Sequence, residues 1–136
     1  MTYGRKLAQY RKTDVETAGK LDLVVMCYEN AIRFLKQAKG HYESGAFEEK
    51  ARALQKVFDI ISELKAALNM EKGHKIAANL GAIYDYLLRS LLEGDLRRDL
   101  DAFESAIQIL AELKEAWETI ASRSKEEPPM SHKIAA

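Results

Sequence analysis

The stretch LKAALNMEKGHKIAANL, Leu64 to Leu80, reads as the end of one amphipathic helix, a polar corner and the start of the next. Apolar residues step by three and four on both sides of Gly73: Ile61, Leu64 and Leu68 before it, Ile76, Leu80 and Ile83 after it. Gly73 takes positive φ without steric penalty, so it suits a reversal. About five residues between two periodic segments leave room for little besides antiparallel packing. The stretch therefore predicts a helical hairpin at the centre of the fold.

Outward from that corner the same periodicity continues. The segment before it, about Phe47 to Asn69, places Phe47, Ala51, Leu54, Phe58, Ile61, Leu64 and Leu68 on one stripe and Ala53, Val57, Ile60 and Ala67 on a companion stripe. The segment after it, about His74 to Leu92, carries Ile76, Leu80, Ile83, Leu87 and Leu91 with Tyr84 and Leu88, and Gly94 is expected to end it. An earlier segment, about Leu21 to Tyr42, repeats a heptad-like face through Leu21, Tyr28, Leu35 and Tyr42, with Leu23, Cys27 and Phe34 as a second stripe and Gly45 as its stop. The last, about Leu96 to Ala121, runs Leu100, Phe103, Ile107, Leu110, Leu113, Trp117, Ile120. Helices of about 19 to 26 residues would each be roughly 30 to 40 Å long, and short corners favour up-down-up-down order. The fold expected is all-α, an antiparallel four-helix bundle over residues 21–121, preceded by a short N-terminal helix or arm at 1–20. Alternation with a period of two never persists, which excludes strands.

With 136 residues and 47% hydrophobic content, the chain has the length of one domain and enough apolar material for a core. Its 21 basic and 21 acidic side chains cancel, so no long-range field draws it to nucleic acid or anionic lipid. No apolar run approaches a membrane span of roughly 18 residues. The lone cysteine, Cys27, cannot form an internal disulfide, and MTYGRKLAQYRKTD lacks the form of a secretory leader, so the cytoplasm (cytosol) is the expected location. Residues 122–136, with Pro128 and Pro129, read as a mostly disordered tail. The pentapeptide HKIAA at His74 to Ala78 recurs at His132 to Ala136: either coincidence among common residue types, or a tail able to dock where the fourth segment begins.

Few residues point to chemistry. A carboxylate-bridged metal pair in a bundle needs Glu-x-x-His on two helices, and the single match, Glu71 to His74, spans Gly73 in the corner. His74 with Lys75 and Gly81 echoes a histidine phosphotransfer module, but Ala77 and Ala78 stand where the pattern needs Lys-Gly. Cys27 lies in an apolar run and behaves as a small hydrophobe. No metal, cofactor or catalytic role follows, and the chain is not expected to be an enzyme. What is left over is the doubled stripe on the second and third segments, which means either a broad core contact or a groove for an amphipathic partner.

Several of these residues together resemble the flagellin-specific export chaperone family, FliS. The opening Tyr10, Val15, Thr17, Ala18 is similar to the family's Y-x4-V-x-T-A. The likeness continues through MCYENAIRF (Met26 to Phe34), DIISEL (Asp59 to Leu64), LNMEKG (Leu68 to Gly73), Ile76, Ala77, Asn79, Leu80, and Tyr84 to Arg89. His74 stands where the family often has Gly. The resemblance implies a bundle that binds the disordered C-terminal segment of flagellin, blocks premature polymerisation and delivers it to the flagellar type III export apparatus. It implies that Tyr10, Val15, Thr17 and Ala18 form an arm near the binding surface. The expected groove lining is Leu23, Cys27, Phe34, Val57, Ile60, Leu64, Met70 and Tyr84. Other flagellar export or regulatory proteins are further candidate partners, and a monomer or weak homodimer is expected. The alternative is a phosphotransfer module using His74.

Overall fold

A computed structural model describes residues 17–126, with side chains described for 19–123. Four helices fill that span: α1 Thr17–Glu43, α2 Phe47–Ala66, α3 Met70–Arg97 and α4 Leu100–Glu126. Connections of two or three residues leave each helix no choice but to return along its predecessor. α1 packs closely along both α2 and α4, whereas α3 meets the same two helices over a much shorter length, diagonally across from α1. The ion pair Lys39–Glu104 and the bond from Trp117 Nε1 to Tyr28 fix α4 antiparallel to α1.

Local chemistry sets the helix ends. Gly45 reverses the chain at φ 78°, as its place in ESGAF predicts. The central reversal comes earlier than Gly73: α2 stops at Ala66 and Asn69 caps α3, its Oδ1 accepting from the Lys72 N–H at 3.1 Å. One turn later the helix breaks, and the positive φ falls on His74 (φ 43°, ψ −116°) instead of Gly73. Gly73 is required for a different reason, since a Cβ there would lie 2.7 Å from that of Ala77. Nor does Gly94 end α3. The helix runs on to Arg97 and closes through Arg98 in the left-handed region, while Gly94 is buried where a Cβ would sit 2.5 Å from Ala102 Cβ. At the other end α4 passes Ala121 and persists to Glu126, because nothing between Ser122 and Glu126 breaks a helix before Pro128.

The core joins all four helices through Tyr28, Leu35, Val57, Ile60, Ile61, Tyr84, Leu87, Leu91, Phe103 and Leu110, each wholly out of water or nearly so. Burying one such side chain contributes about 1.5–3 kcal/mol. At the centre the Tyr28 and Tyr84 hydroxyls bond across the diagonal, and the Trp117 indole donates to Tyr28 at 3.2 Å. The Tyr28–Tyr84 bond bridges α1 to α3, as does the Tyr42 hydroxyl, which donates to the Asp95 carbonyl at 3.2 Å. No buried side-chain nitrogen or oxygen among the described residues is left without a partner.

Candidate functional site

The doubled stripe is absorbed by the bundle. Leu23, Cys27 and Phe34 on α1 and Val57, Ile60 and Leu64 on α2 are buried, as is Tyr84 on α3. The cause is α1's position: a helix gripped on two sides needs a wide apolar face, so the second stripe is core and not surplus. Phe34 sits at the edge of that core with cations on its ring, the Arg33 guanidinium 4.6 Å and the Lys56 ammonium 4.8 Å from its centroid. Met70 alone of the eight expected lining residues is exposed, at 56%. Tyr10 and Val15 lie outside the described residues; Thr17 and Ala18 open α1, and their side chains are not described.

The surplus apolar surface is on α3. Among the described residues the large hydrophobics left in water are Phe47, Met70, Ile76, Tyr86, Leu92, Leu96 and Ile120, and five of these seven belong to α3. Ile76, expected to join the core stripe, is 70% exposed, and Leu96 is 76% exposed. Once the helix is loosely seated, one narrow stripe (Ala77, Tyr84, Leu87, Leu91) is fully buried, Leu80, Ile83 and Leu88 pack partly buried beside it, and Met70, Ile76, Tyr86, Leu92 and Leu96 stay outside.

Open clefts flank this helix. On the α2 side, Leu68, Met70, Ala77, Ala78, Gly81 and Ala82 line a cleft of about 410 Å³, with Lys65 and Asp85 at its rim in a 2.5 Å ion pair. Small residues form its floor, so a visiting helix could approach the α3 backbone closely. Leu88, Leu92 and Leu96 follow along α3 at four-residue steps. A second ion pair, Lys50–Asp95 at 2.6 Å, ties the far ends of α2 and α3 together. On the α4 side, Ala82, Ile83, Tyr86, Ile109 and Leu113 with Glu112 line a cleft of about 460 Å³. A further cleft of about 520 Å³ between α1 and α4 has a different character, lined by Glu29, Arg33, Lys36, Gln37 and Lys114 beside Ile32. Apolar lining therefore distinguishes the α3 clefts from it.

Among the described residues no group of three or more His, Cys, Asp or Glu is placed to hold a metal ion. Burial pushes the phenols of Tyr28 and Tyr84 above the ordinary tyrosine value, which keeps both neutral and hydrogen-bonding. His74 is exposed at the break in α3.

The family model described as "Flagellar protein FliS" matches residues 3–124. The chain belongs to the FliS family. It is 38% identical over 111 residues to the flagellar secretion chaperone FliS of Salmonella typhimurium, an alignment spanning 81% of this chain and 82% of that protein. The FliS chaperone of Vibrio cholerae is 31% identical over 134 residues, spanning 96% of this chain and 93% of that protein. That of Bacillus subtilis is 29% identical over 118 residues, with 86% and 87% spanned. Membership makes the chain a flagellar secretion chaperone and not an enzyme, so phosphotransfer through His74 is set aside. FliS chaperones act on flagellar cargo, and among the described residues exposed large hydrophobics are concentrated on α3. Sequence reasoning did not single out α3 as the helix with exposed apolar side chains, although Tyr86, Leu92 and Leu96 all stand off its core stripe and were the available signal.

Proposed function

We propose that the chain binds the C-terminal segment of flagellin along the clefts flanking α3, in the bacterial cytoplasm, and so prevents premature polymerisation before delivery to the type III export apparatus. The observation that supports this reading is the concentration of exposed large hydrophobics on one loosely seated helix. The resemblance implies a guest whose apolar helices associate only inside a filament; a carrier must cover them without folding them into a globule. Shallow clefts with small residues at their floor suit an amphipathic helix laid along the bundle. Ordering a disordered guest lowers affinity, which allows release.

In this reading Met70, Ile76, Tyr86, Leu92 and Leu96 touch the guest. Leu23, Cys27, Phe34, Val57, Ile60, Leu64 and Tyr84 act from behind as the packed wall that holds α3 in place. Tyr10 and Val15 belong to an arm beside the surface, and Thr17 and Ala18, in the first turn of α1, anchor it. Calorimetry with a peptide copy of the flagellin C-terminal segment should give a negative heat-capacity change. Tyr86→Ala combined with Leu92→Ala should weaken binding about tenfold or more at an unaltered melting temperature, a loss of about 1.4 kcal/mol or more. A titration without heat at any temperature would sink the proposal. Tyr10→Ala should lower affinity more than stability; equal losses would make Tyr10 purely structural. Other flagellar export or regulatory proteins that share the surface should displace the peptide.

A further inference from the structure

The bundle end that holds the α2–α3 corner carries an apolar groove of about 360 Å³, lined chiefly by Leu68, Lys72, Gly73, Ile76, Leu80 and Trp117. Trp117 brings α4 into this groove. α4 continues to Glu126, nine residues beyond Trp117 or about 14 Å at 1.5 Å per residue, and the chain then extends through residues 127–136.

We propose that residues 127–136 fold back over this groove, seating Met130 and Ile134 against Ile76, Leu80 and Trp117. Length permits it. If Glu127 to Pro129 make the reversal, the seven residues after them reach about 23 Å when extended, more than the return requires. Sequence favours it. Met130 and Ile134 are four apart, so an extended segment, in which every second residue shares a face, presents both on one side. The tail also repeats HKIAA, the pentapeptide that begins the unbroken part of α3 at this same end. In that first copy Ala77 is buried while Ile76 stands in water with nothing large over it. This inference does not depend on flagellin being the guest.

Trp117 is the only tryptophan in the chain and reports the groove directly. In the full-length protein at low micromolar concentration, acrylamide quenching of Trp117 should rise at least twofold in the Met130→Asp, Ile134→Asp double variant. Ile76→Asp should raise it similarly, with no further rise when all three changes are combined. A peptide with the sequence PPMSHKIAA, added to the tail variant, should restore protection. Because Ile76 is exposed, its replacement leaves the core intact, and an unchanged melting temperature checks this. Separately, Ile76→Cys with Ile134→Cys should form an intrachain disulfide on mild oxidation while buried Cys27 is spared. Quenching equal in wild type and all variants, or no intrachain disulfide, would overturn the proposal. So would protection of Trp117 that grows with protein concentration, because the occupant would then be a second copy.

Discussion

α1 and α3 face each other diagonally and carry similar amounts of apolar residue, yet they spend it differently. α1 turns Leu23, Cys27, Tyr28, Ala31, Phe34, Leu35 and Ala38 into core, and none of the large hydrophobics left in water among the described residues belongs to it. α3 buries a narrow stripe and leaves Met70, Ile76, Tyr86, Leu92 and Leu96 outside. The difference teaches that composition does not assign a helix its role. The length over which its neighbours grip it does.

Truncation should separate the two helices most sharply. Leu35→Ala, at a fully buried α1 position, should cost about 2–5 kcal/mol in urea unfolding. A loss below about 0.5 kcal/mol would mean α1 is no better packed than a surface helix. Next in size is the diagonal itself: Tyr28→Phe strands the Trp117 N–H and the Tyr84 hydroxyl together, at a cost of about 2–3 kcal/mol.

The same bonds carry a pH signature. Burial first, and for Tyr84 its neighbour Tyr28 next, hold the folded phenols above the value of 10.0 at which they titrate when unfolded. Above pH 10 the unfolded chain therefore binds fewer protons than the folded one, and stability falls as pH rises; below it the contribution is complete. Melting temperature followed through the alkaline range should drop less steeply in a Tyr28→Phe, Tyr84→Phe double variant than in wild type. Parallel curves would show that the diagonal pair is not what titrates.

A smaller and opposite effect belongs to the start of α3. His74→Gly should stabilise the protein by about 1 kcal/mol, because φ 43° with ψ −116° strains any residue that has a Cβ. Differential scanning calorimetry reads it, and a lowered melting temperature would mean that the imidazole contributes more than the backbone loses. Smallest of all, Leu96→Ser should leave stability within about 0.5 kcal/mol of wild type. A larger loss would place Leu96 in the core and remove the contrast between the helices.

Periodicity of three and four, with Gly45 between segments and no prolines before Pro128, was enough to read four antiparallel helices and most of their core from the residues alone. The helix ends were less legible. Asn69 caps α3 through one side-chain oxygen, and Gly73 and Gly94 serve close approach to Ala77 and Ala102, distances that no spacing rule contains. The family was legible because LNMEKG and the Tyr10 to Ala18 opening are specific strings.

The exposed apolar surface was legible only in part. Leu23, Cys27 and Phe34 form as good a stripe on paper as Leu88, Leu92 and Leu96, since a helical wheel records which side chains share a face but not what lies opposite. By itself the sequence determined the class of fold and the pairing of successive helices, because these follow from local propensity and short connections. Only the tertiary structure decided that α1 would be gripped by two helices and α3 held loosely, and so which apolar side chains remain free, because burial is a property of neighbours that are distant in the chain.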